Sequence, residues 1–461
     1  MVYSKKKKNI FAGTGISKND DPYLAGKEAV EKAMSELGNN IPTFGIIFCS
    51  GSKYGINDSN IKKLVNGVNS LLSNIPWGGC TTNGEIFNGE LETNSCICLL
   101  LSSEYMRVGI GIHNGIYDNA IKAGELAVEK ALNNLKLERV VTPYIKYTAQ
   151  KTKKISDLLK MYEYTFLVFS TGHTLMNTGH EDEVIKGITN KVGRRLPIIG
   201  GTAGDDFRLL RNYQFANGEI YYDAAVVFAI STGLRCGFGY DHGYVATGKS
   251  TTVTKSEGYF VHELDGKPAL SRYAELLGLK PEELWDTKSK FFDKTSSLAW
   301  VASKYWSMAI NPKWIPFLST VTINPFGVTD VNGNLAIRIA KSVKDNSVMF
   351  TQKIPNNIAL TALEIDPHKV LDAEKNALNV AVKEAGDIPA VIFIFDCELR
   401  KIYTGADKIH EAISKLKKKY PTAKIFGFNT MGEFTFSKTS EPNASSATVS
   451  VGVIGNKLVS E

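Results

Sequence analysis

One supersecondary order runs through this chain three times, and it constrains the fold more than any other feature. A helix pattern over Tyr23 to Leu37 carries Ala29-Val30-Glu31-Lys32-Ala33, and a second over Asn119 to Leu135 carries the same five residues as Ala127-Val128-Glu129-Lys130-Ala131. A third, Lys369 to Ala385, ends in the looser echo Val380-Ala381-Val382-Lys383-Glu384-Ala385. Self-similarity of this kind outranks local propensity as a guide to architecture. Each helix is followed by a short apolar run, Phe44 to Cys49, Thr165 to Phe169 and Ala390 to Phe395, which reads as a strand buried on both faces. A polar loop and a second helix follow, over Ile61 to Leu72, Glu181 to Leu196 and Asp407 to Tyr420. Each second helix stops before a proline (Pro76, Pro197, Pro421), which cannot donate a helix bond and drives its predecessor out of the α region. Closing strands over Cys96 to Leu101, Ala224 to Ile230 and Thr448 to Ile454 complete the pattern. The expectation is an α/β fold of helix-covered mixed sheets, built from three copies of a helix–strand–helix–turn–strand repeat. With 461 residues the chain exceeds one ordinary core, and two domains are expected, 1–250 with two copies and 251–461 with the third over about 369–456.

The turn before each closing strand is rich in glycine and ends in an acid. The first reads Gly79-Cys80-Thr81-Thr82-Asn83-Gly84-Glu85, the third Gly427-Phe428-Asn429-Thr430-Met431-Gly432-Glu433. In the second, Gly200-Gly201-Thr202-Ala203-Gly204-Asp205-Asp206, counting from the first glycine puts Asp206 at the offset of Glu85 and Glu433. Glycine lets backbone N–H groups converge on an anion, and a fixed carboxylate beside them can hold an ammonium, so an amino acid or similar zwitterion suits the mixture. Candidate ligand residues are therefore Thr82, Asn83, Glu85, Thr202, Asp205, Asp206, Asn429, Thr430 and Glu433. The structural alternative is that each acid accepts bonds within its own turn.

Ligands in such sheets usually sit beyond the carboxyl ends of strands, which selects the loops Ser50 to Gly55, Ser170 to His173 and Asp396 to Arg400. Arg400 there suits a ligand carboxylate, or a salt bridge to Glu398 or Asp407. Cys397 joins Arg400 as a candidate ligand residue and is also a candidate nucleophile, although no histidine follows closely. His173 and His180 are candidate metal or haem ligands, a role a lone loop histidine seldom plays. Gly13-Thr14-Gly15 and Gly237-Phe238-Gly239 miss the dinucleotide fingerprint, and Gly200 to Gly204 lacks the Lys-Ser/Thr of a P-loop.

Composition narrows the class further. Lys+Arg number 54 against 47 Asp+Glu, an excess carried by short lysine runs without interleaved aromatics, so nucleic acid is not an expected partner. The six cysteines form no CxxC and show no zinc spacing. With no signal peptide and no long apolar window, membrane insertion is not expected and a cytoplasmic location is. Two segments depart from the repeat. Residues 143–163 form a basic insert, and 284–326 hold four of the five tryptophans, as a satellite core, a lid or a docking face.

Several of these motifs, in this order, resemble the FIST family. The second turn with Asn217-Gly218 and Asp223-Ala224-Ala225-Val226 is similar to a FIST N-terminal domain. Leu264 to Ala269, Tyr273 to Gly278, Asn324-Pro325-Phe326-Gly327 with Arg338, and Cys397 with Arg400 ahead of Gly427 to Glu433 are similar to its C-terminal domain. The resemblance implies a sensory module for small ligands such as amino acids. Some members are described as haem-binding sensors of nitric oxide, and one eukaryotic branch is joined to an F-box. The expected function is a stand-alone intracellular small-molecule sensor without cofactor or catalytic residue, acting through a separate signalling partner. The alternatives are a haem-binding gas sensor and a thiol enzyme using Cys397.

Overall fold

The computed structural model describes residues 8–135, 162–285, 314–330, 333–386 and 388–459. The insert at 143–163 lies outside them except for its last two residues, and so do residues 286–313 of the tryptophan-bearing stretch. The first run of elements is β1 (Phe11–Ser17), α1 (Pro22–Leu37), β2 (Phe44–Ser50), α2 (Asp58–Leu72), β3 (Trp77–Thr82), the short pair β4 (Glu85–Phe87) and β5 (Glu90–Glu92), and β6 (Cys96–Ser102). Next come β7 (Met106–His113), α3 (Ile116–Asn134), β8 (Thr165–Ser170), α4 (Glu181–Val192), β9 (Ile198–Thr202), β10 (Gln214–Ala216), β11 (Glu219–Tyr221) and β12 (Ala225–Thr232).

After β13 (Leu234–Asp241) the chain leaves for a satellite unit: β14 (Tyr244–Glu257), β15 (Phe260–Leu264), β16 (Lys267–Pro268), α5 (Ala269–Leu277), α6 (Trp314–Ile323), β17 (Phe326–Thr329), β18 (Leu335–Arg338), β19 (Ala340–Lys344), β20 (Ser347–Phe350) and β21 (Ala359–Ile365). It returns through α7 (Pro367–Ala385), β22 (Pro389–Cys397), α8 (Glu398–Thr404), α9 (Ala406–Lys419), β23 (Lys424–Thr430), β24 (Glu433–Thr435), β25 (Asn443–Ser445) and β26 (Val449–Leu458). Asp396 to Arg400, expected as a loop, is thus the end of a strand running directly into a helix.

The body contains three six-stranded sheets, ordered β1-β6-β2-β3-β10-β11, β25-β24-β9-β8-β12-β7 and β13-β26-β22-β23-β4-β5. Each holds one parallel pair, β2 with β3, β8 with β9 and β22 with β23, among antiparallel neighbours. The short two-stranded ribbon at the edge of each sheet comes from a different run of the chain than the other four strands. Strands from both sides of residue 250 therefore share two of the sheets. The fourth sheet, of eight strands, belongs to the satellite unit.

Side chains alternate along a strand, and each body strand uses both faces. One face of β2 sends Phe44, Ile46 and Phe48 into a core shared by all three sheets, while Ile47 and Cys49 pack under α1 and α2. Aromatic rings fill the shared core: Phe48 and Phe169 lie 5.0 Å apart, Phe169 and Phe395 5.8 Å, and Phe48 and Phe428 4.5 Å. The outer faces are covered by α1 with α2, α3 with α4, and α7 with α9.

The repeated alanines have a mechanical cause. In β1, Gly13 and Gly15 meet the carbonyls of Ala33 and Ala29, and a Cβ on either would stand about 2 Å from those oxygens. Gly109 and Gly111 in β7 meet Ala131 and Ala127, and Gly237 and Gly239 in β13 meet Ala381 and Ala377. The Gly-x-Gly pairs that fail as nucleotide motifs thus let a helix lie directly on a strand. Gly111→Ala would place a Cβ 2.1 Å from the Ala127 oxygen. We expect it to cost about 1–3 kcal/mol, read from the midpoint of denaturant unfolding at unchanged slope; an unmoved midpoint would show that the helix can lift freely.

Candidate functional site

The turn acids are buried and satisfied where they stand. Glu85 accepts Thr82 Oγ1 and Ser95 Oγ, each at 2.5 Å. Glu433 accepts Thr430 Oγ1, and its other oxygen takes the Thr448 amide at 3.1 Å and hydroxyl at 2.8 Å. Burial pushes both carboxyls up to about 8, with Asp206 adding to the rise at Glu85. Each is the first residue of a two-stranded ribbon at a sheet edge, and Gln214 likewise opens the ribbon of β10 and β11. Its Oε1 accepts the Ala224 amide at 3.0 Å, and its Nε2 donates to Asn212 Oδ1 at 2.8 Å.

Asp206, which matches Glu85 and Glu433 by count, does not open a ribbon as they do. The loop between β9 and β10 spans residues 203–213, whereas 83–84 and 431–432 suffice in the other two. Asp205 in that loop accepts three backbone amides, from Leu209 and Leu210 at 2.8 Å and from Arg211 at 3.0 Å. Burial still raises its carboxyl to about 6. Asp206, at φ 56°, accepts Ser50 Oγ at 2.7 Å and the Ser52 amide at 2.6 Å, which ties this loop to the end of β2. Asn83 Oδ1 accepts the amides of Asp205 and Phe207 at 3.1 and 2.8 Å. Thr202 exchanges backbone bonds with the third turn, its N–H donating to Gly432 O at 2.9 Å. Asn429 Oδ1 accepts Lys401 Nζ at 3.3 Å. The three turns interlock with one another, and their acids do not meet in one cavity.

Arg400 has neither of its expected partners. Its Nε donates to Asp396 at 2.6 Å, and its Nη2 donates to Glu374 at 2.7 Å and to the Val370 carbonyl at 2.9 Å. All three side chains are buried. Burial, helped by Asp396, pushes the Glu374 carboxyl up against the pull of Arg400. This is an internal ion cluster that seats α7 and α8 on β22. Cys397 is 1% exposed; burial, with Glu433 beside it, raises the thiol well above its usual value, contrary to what a nucleophile needs.

One cavity of about 110 Å³ does form at the strand ends. Cys397, Glu398 and Leu399 line one side, Thr430 and Met431 a second, and His173 with Thr174 a third. Phe207 and Leu209 from the long second loop and Leu318 and Thr322 from α6 add apolar wall. The satellite unit contributes Ile339, Ala340 and Lys341, so the cavity lies between it and the body. Of the residues expected to bind ligand, only Cys397 and Thr430 reach it. Lys341 Nζ donates to the carbonyls of Thr174 and Asn177 at 3.3 and 3.4 Å, and burial lowers the ammonium's pKa despite nearby Glu181. Glu398 pairs with Lys401 at 2.6 Å, and burial lifts it to about 7. Nothing in the local pattern Ala340-Lys341-Ser342-Val343-Lys344 marks Lys341, because its position depends on how the satellite docks.

That docking is electrostatic at the first turn of α4, where three consecutive acids favour the helix N-terminus. Glu183 pairs with Lys353 at 2.6 Å and accepts Tyr259 OH at 3.0 Å; Asp182 lies 3.8 Å from Arg338. Glu181 is 1% exposed, with Oε1 3.0 Å from His173 Nε2. His173 Nδ1 accepts the Gly179 amide at 3.2 Å, and His180 Nδ1 lies 2.8 Å from Tyr259 OH. Haem does not fit this arrangement: both rings are engaged, and the cavity is well below the roughly 300–1,000 Å³ of larger ligand pockets. Among the described residues no group of three or more His, Cys, Asp or Glu is placed to hold a metal, and no helix is long and apolar enough to cross a membrane.

Fold and cavity define a mixed α/β protein with a small chamber beyond its strand ends. Residues 43–267 match the FIST N domain and 302–435 the FIST C domain, and the chain belongs to the FIST family, whose domains are associated with small-ligand sensing in signalling. A relative from Methanocaldococcus jannaschii, named Uncharacterized protein MJ1623, is 30% identical over 229 residues, covering 49% of this chain and 40% of the relative. The chain thus spans less than half the length of that curated relative. Among solved structures, a cyanuric acid hydrolase from A. caulinodans aligns at 11% identity and TM-score 0.27, over 49% of this chain and 71% of that one. PurLQS from Thermotoga maritima aligns at 10% identity and TM-score 0.22, over 98% and 73%.

Two outcomes follow for the buried acids. Glu433→Gln reproduces what Gln214 does and should change stability by less than about 1 kcal/mol. Glu433→Ala, which strands the Thr448 amide, should cost about 1–3 kcal/mol; equal effects would sink this account. Since the folded pKa values near 8 exceed the ordinary 4.5, the stability Glu85 and Glu433 contribute is whole below about pH 4.5 and is lost as pH rises through 8. The Glu85→Gln, Glu433→Gln double variant should therefore lose less stability between pH 5 and 8 than the parent, measured by denaturant unfolding. For the ion cluster, Arg400→Met should destabilise by about 3–5 kcal/mol.

Proposed function

We propose that this chain is a signalling sensor whose ligand, an amino acid or similar small metabolite, occupies the cavity between the body and the satellite unit. The observation that carries the reading is the cavity itself. It lies beyond the ends of β8, β22 and β23, where such sheets commonly bind ligands, and its mainly apolar wall holds few polar groups. Its volume is somewhat below the ~150 Å³ of a cavity that accepts benzene, so the guest has only a handful of heavy atoms. Cys397 and Thr430 are retained as ligand contacts, joined by His173, Lys341 and Glu398. We assign Glu85, Asp205, Asp206, Asn83, Thr202, Asn429 and Glu433 to holding the turns that shape the chamber, and Arg400 to seating the helix beneath it. A separate protein partner would carry the output, in the cytoplasm.

We further infer that the body is one unit used three times. Its support is the common order of elements, the Gly-x-Gly strand under an alanine-bearing helix, and the edge ribbon each sheet receives from another run. The boundary near residue 250 is then one of sequence, with the satellite unit inserted into the third copy.

A thermal-shift panel of amino acids and short metabolites tests the sensor. A true ligand at 100 times its Kd should stabilise the fold by about 2.7 kcal/mol, and Leu318→Trp, which fills the chamber, should abolish the effect while the protein remains folded. A folded protein that no compound stabilises would count against the proposal.

A further inference from the structure

We propose that the recognised end of the guest is a carboxylate, anchored by Lys341, and that the rest of the guest is a short aliphatic chain. This rests on the cavity being the ligand seat and names the class of compound it takes. Lys341 is the cavity's cation. Among the described residues no carboxylate lies within 4 Å of its Nζ, whose only bonds are the two long ones to the Thr174 and Asn177 carbonyls. An ammonium carries three donors, and a mostly buried one without a contacting anion is poorly compensated. Other lysines withdrawn from solvent have closer oxygens: Lys401 has Glu398 at 2.6 Å, and Lys417 has the Ala423 carbonyl at 2.7 Å. Glu181 lies beyond contact and acts from a distance, favouring the charged form of Lys341 that burial opposes.

The remainder of the chamber offers no matching site for an amine. Glu398, the acid that lines it, is already paired with Lys401. Ile339, Leu399, Leu209 and Met431 present hydrocarbon instead. A guest with an anionic head and a chain of three or four carbons satisfies both the cation and the wall, and an α-amino group is not needed for binding. Such a guest would also touch both the body and the satellite unit, because Lys341 belongs to β19 and Leu399 to α8.

Four compounds of nearly equal shape decide the matter: butyrate, butyramide, n-butanol and butylamine, titrated against the full-length protein by calorimetry and thermal shift. Butyrate should bind and raise the melting temperature, and the amide, alcohol and amine should not. Lys341→Met should weaken butyrate by about tenfold or more, the usual scale of a charge-assisted hydrogen bond, whereas Lys341→Arg should keep most of the affinity. The melting curve of each variant without ligand establishes that it is folded. Butyramide or butanol binding as tightly as butyrate would overturn the carboxylate assignment while leaving the cavity as the ligand seat. Undiminished butyrate binding by folded Lys341→Met would overturn the role of Lys341. No binding by any of the four, nor by the wider metabolite panel, would overturn both the assignment and the seat.

Discussion

Every sheet of the body is completed by a ribbon from elsewhere in the chain, and the other features of the fold depend on that exchange. β10 and β11 extend the sheet of β1 to β6, β24 and β25 extend that of β7 to β12, and β4 and β5 extend that of β22, β23 and β26. The four-stranded remainder of any sheet would leave the edge of β3, β9 or β23 unpaired, with a row of open backbone donors and acceptors. The ribbon closes that edge, and it brings a buried side chain with it. Glu85, Gln214 and Glu433 each stand at the start of a ribbon, and each binds the residue just before the strand that closes its own run: Ser95, Ala224 and Thr448. One polar side chain thus fixes where a strand leaves one sheet for the next.

Packing then decides where a chamber can exist. The three sheets meet over phenylalanines at their inner faces, while glycine in the first strand of each sheet allows a helix to press on the outer face. With both faces filled, space remains only where the strands end. Neighbouring chain fills part of that space. Asp206 ties the long second loop to the end of β2, Asn83 accepts the amides of that loop, and Lys401 spans the first and third turns. What remains open beyond β8, β22 and β23 is covered by the satellite unit, which brings Lys341 and α6 and is held to α4 by Lys353 and Arg338.

Much of this was legible beforehand. Helices, long strands and the prolines after α2, α4 and α9 fall close to where periodicity puts them, because those segments bury a regular stripe of side chains. The strands before each first helix were missed, since Gly13-Thr14-Gly15 carries too little hydrophobic signal when its partner is a helix backbone. The three-residue ribbons were missed as well, because their stability lies wholly in distant partners. Offsets within a turn misled for the same reason: Asp206 matches Glu85 and Glu433 by count, but its loop runs on to residue 213, and the residue that opens the next ribbon is Gln214.

The sequence alone determined the class of fold and the family, since these follow from short-range pattern, glycine and proline. It could not decide which polar groups are available to a guest. Arg400 and Glu433 are spent on partners 26 and 15 residues away, and Lys341 meets a loop 167 residues earlier. A side chain is free or satisfied according to what the folded chain places beside it, and only the tertiary structure sets those distances.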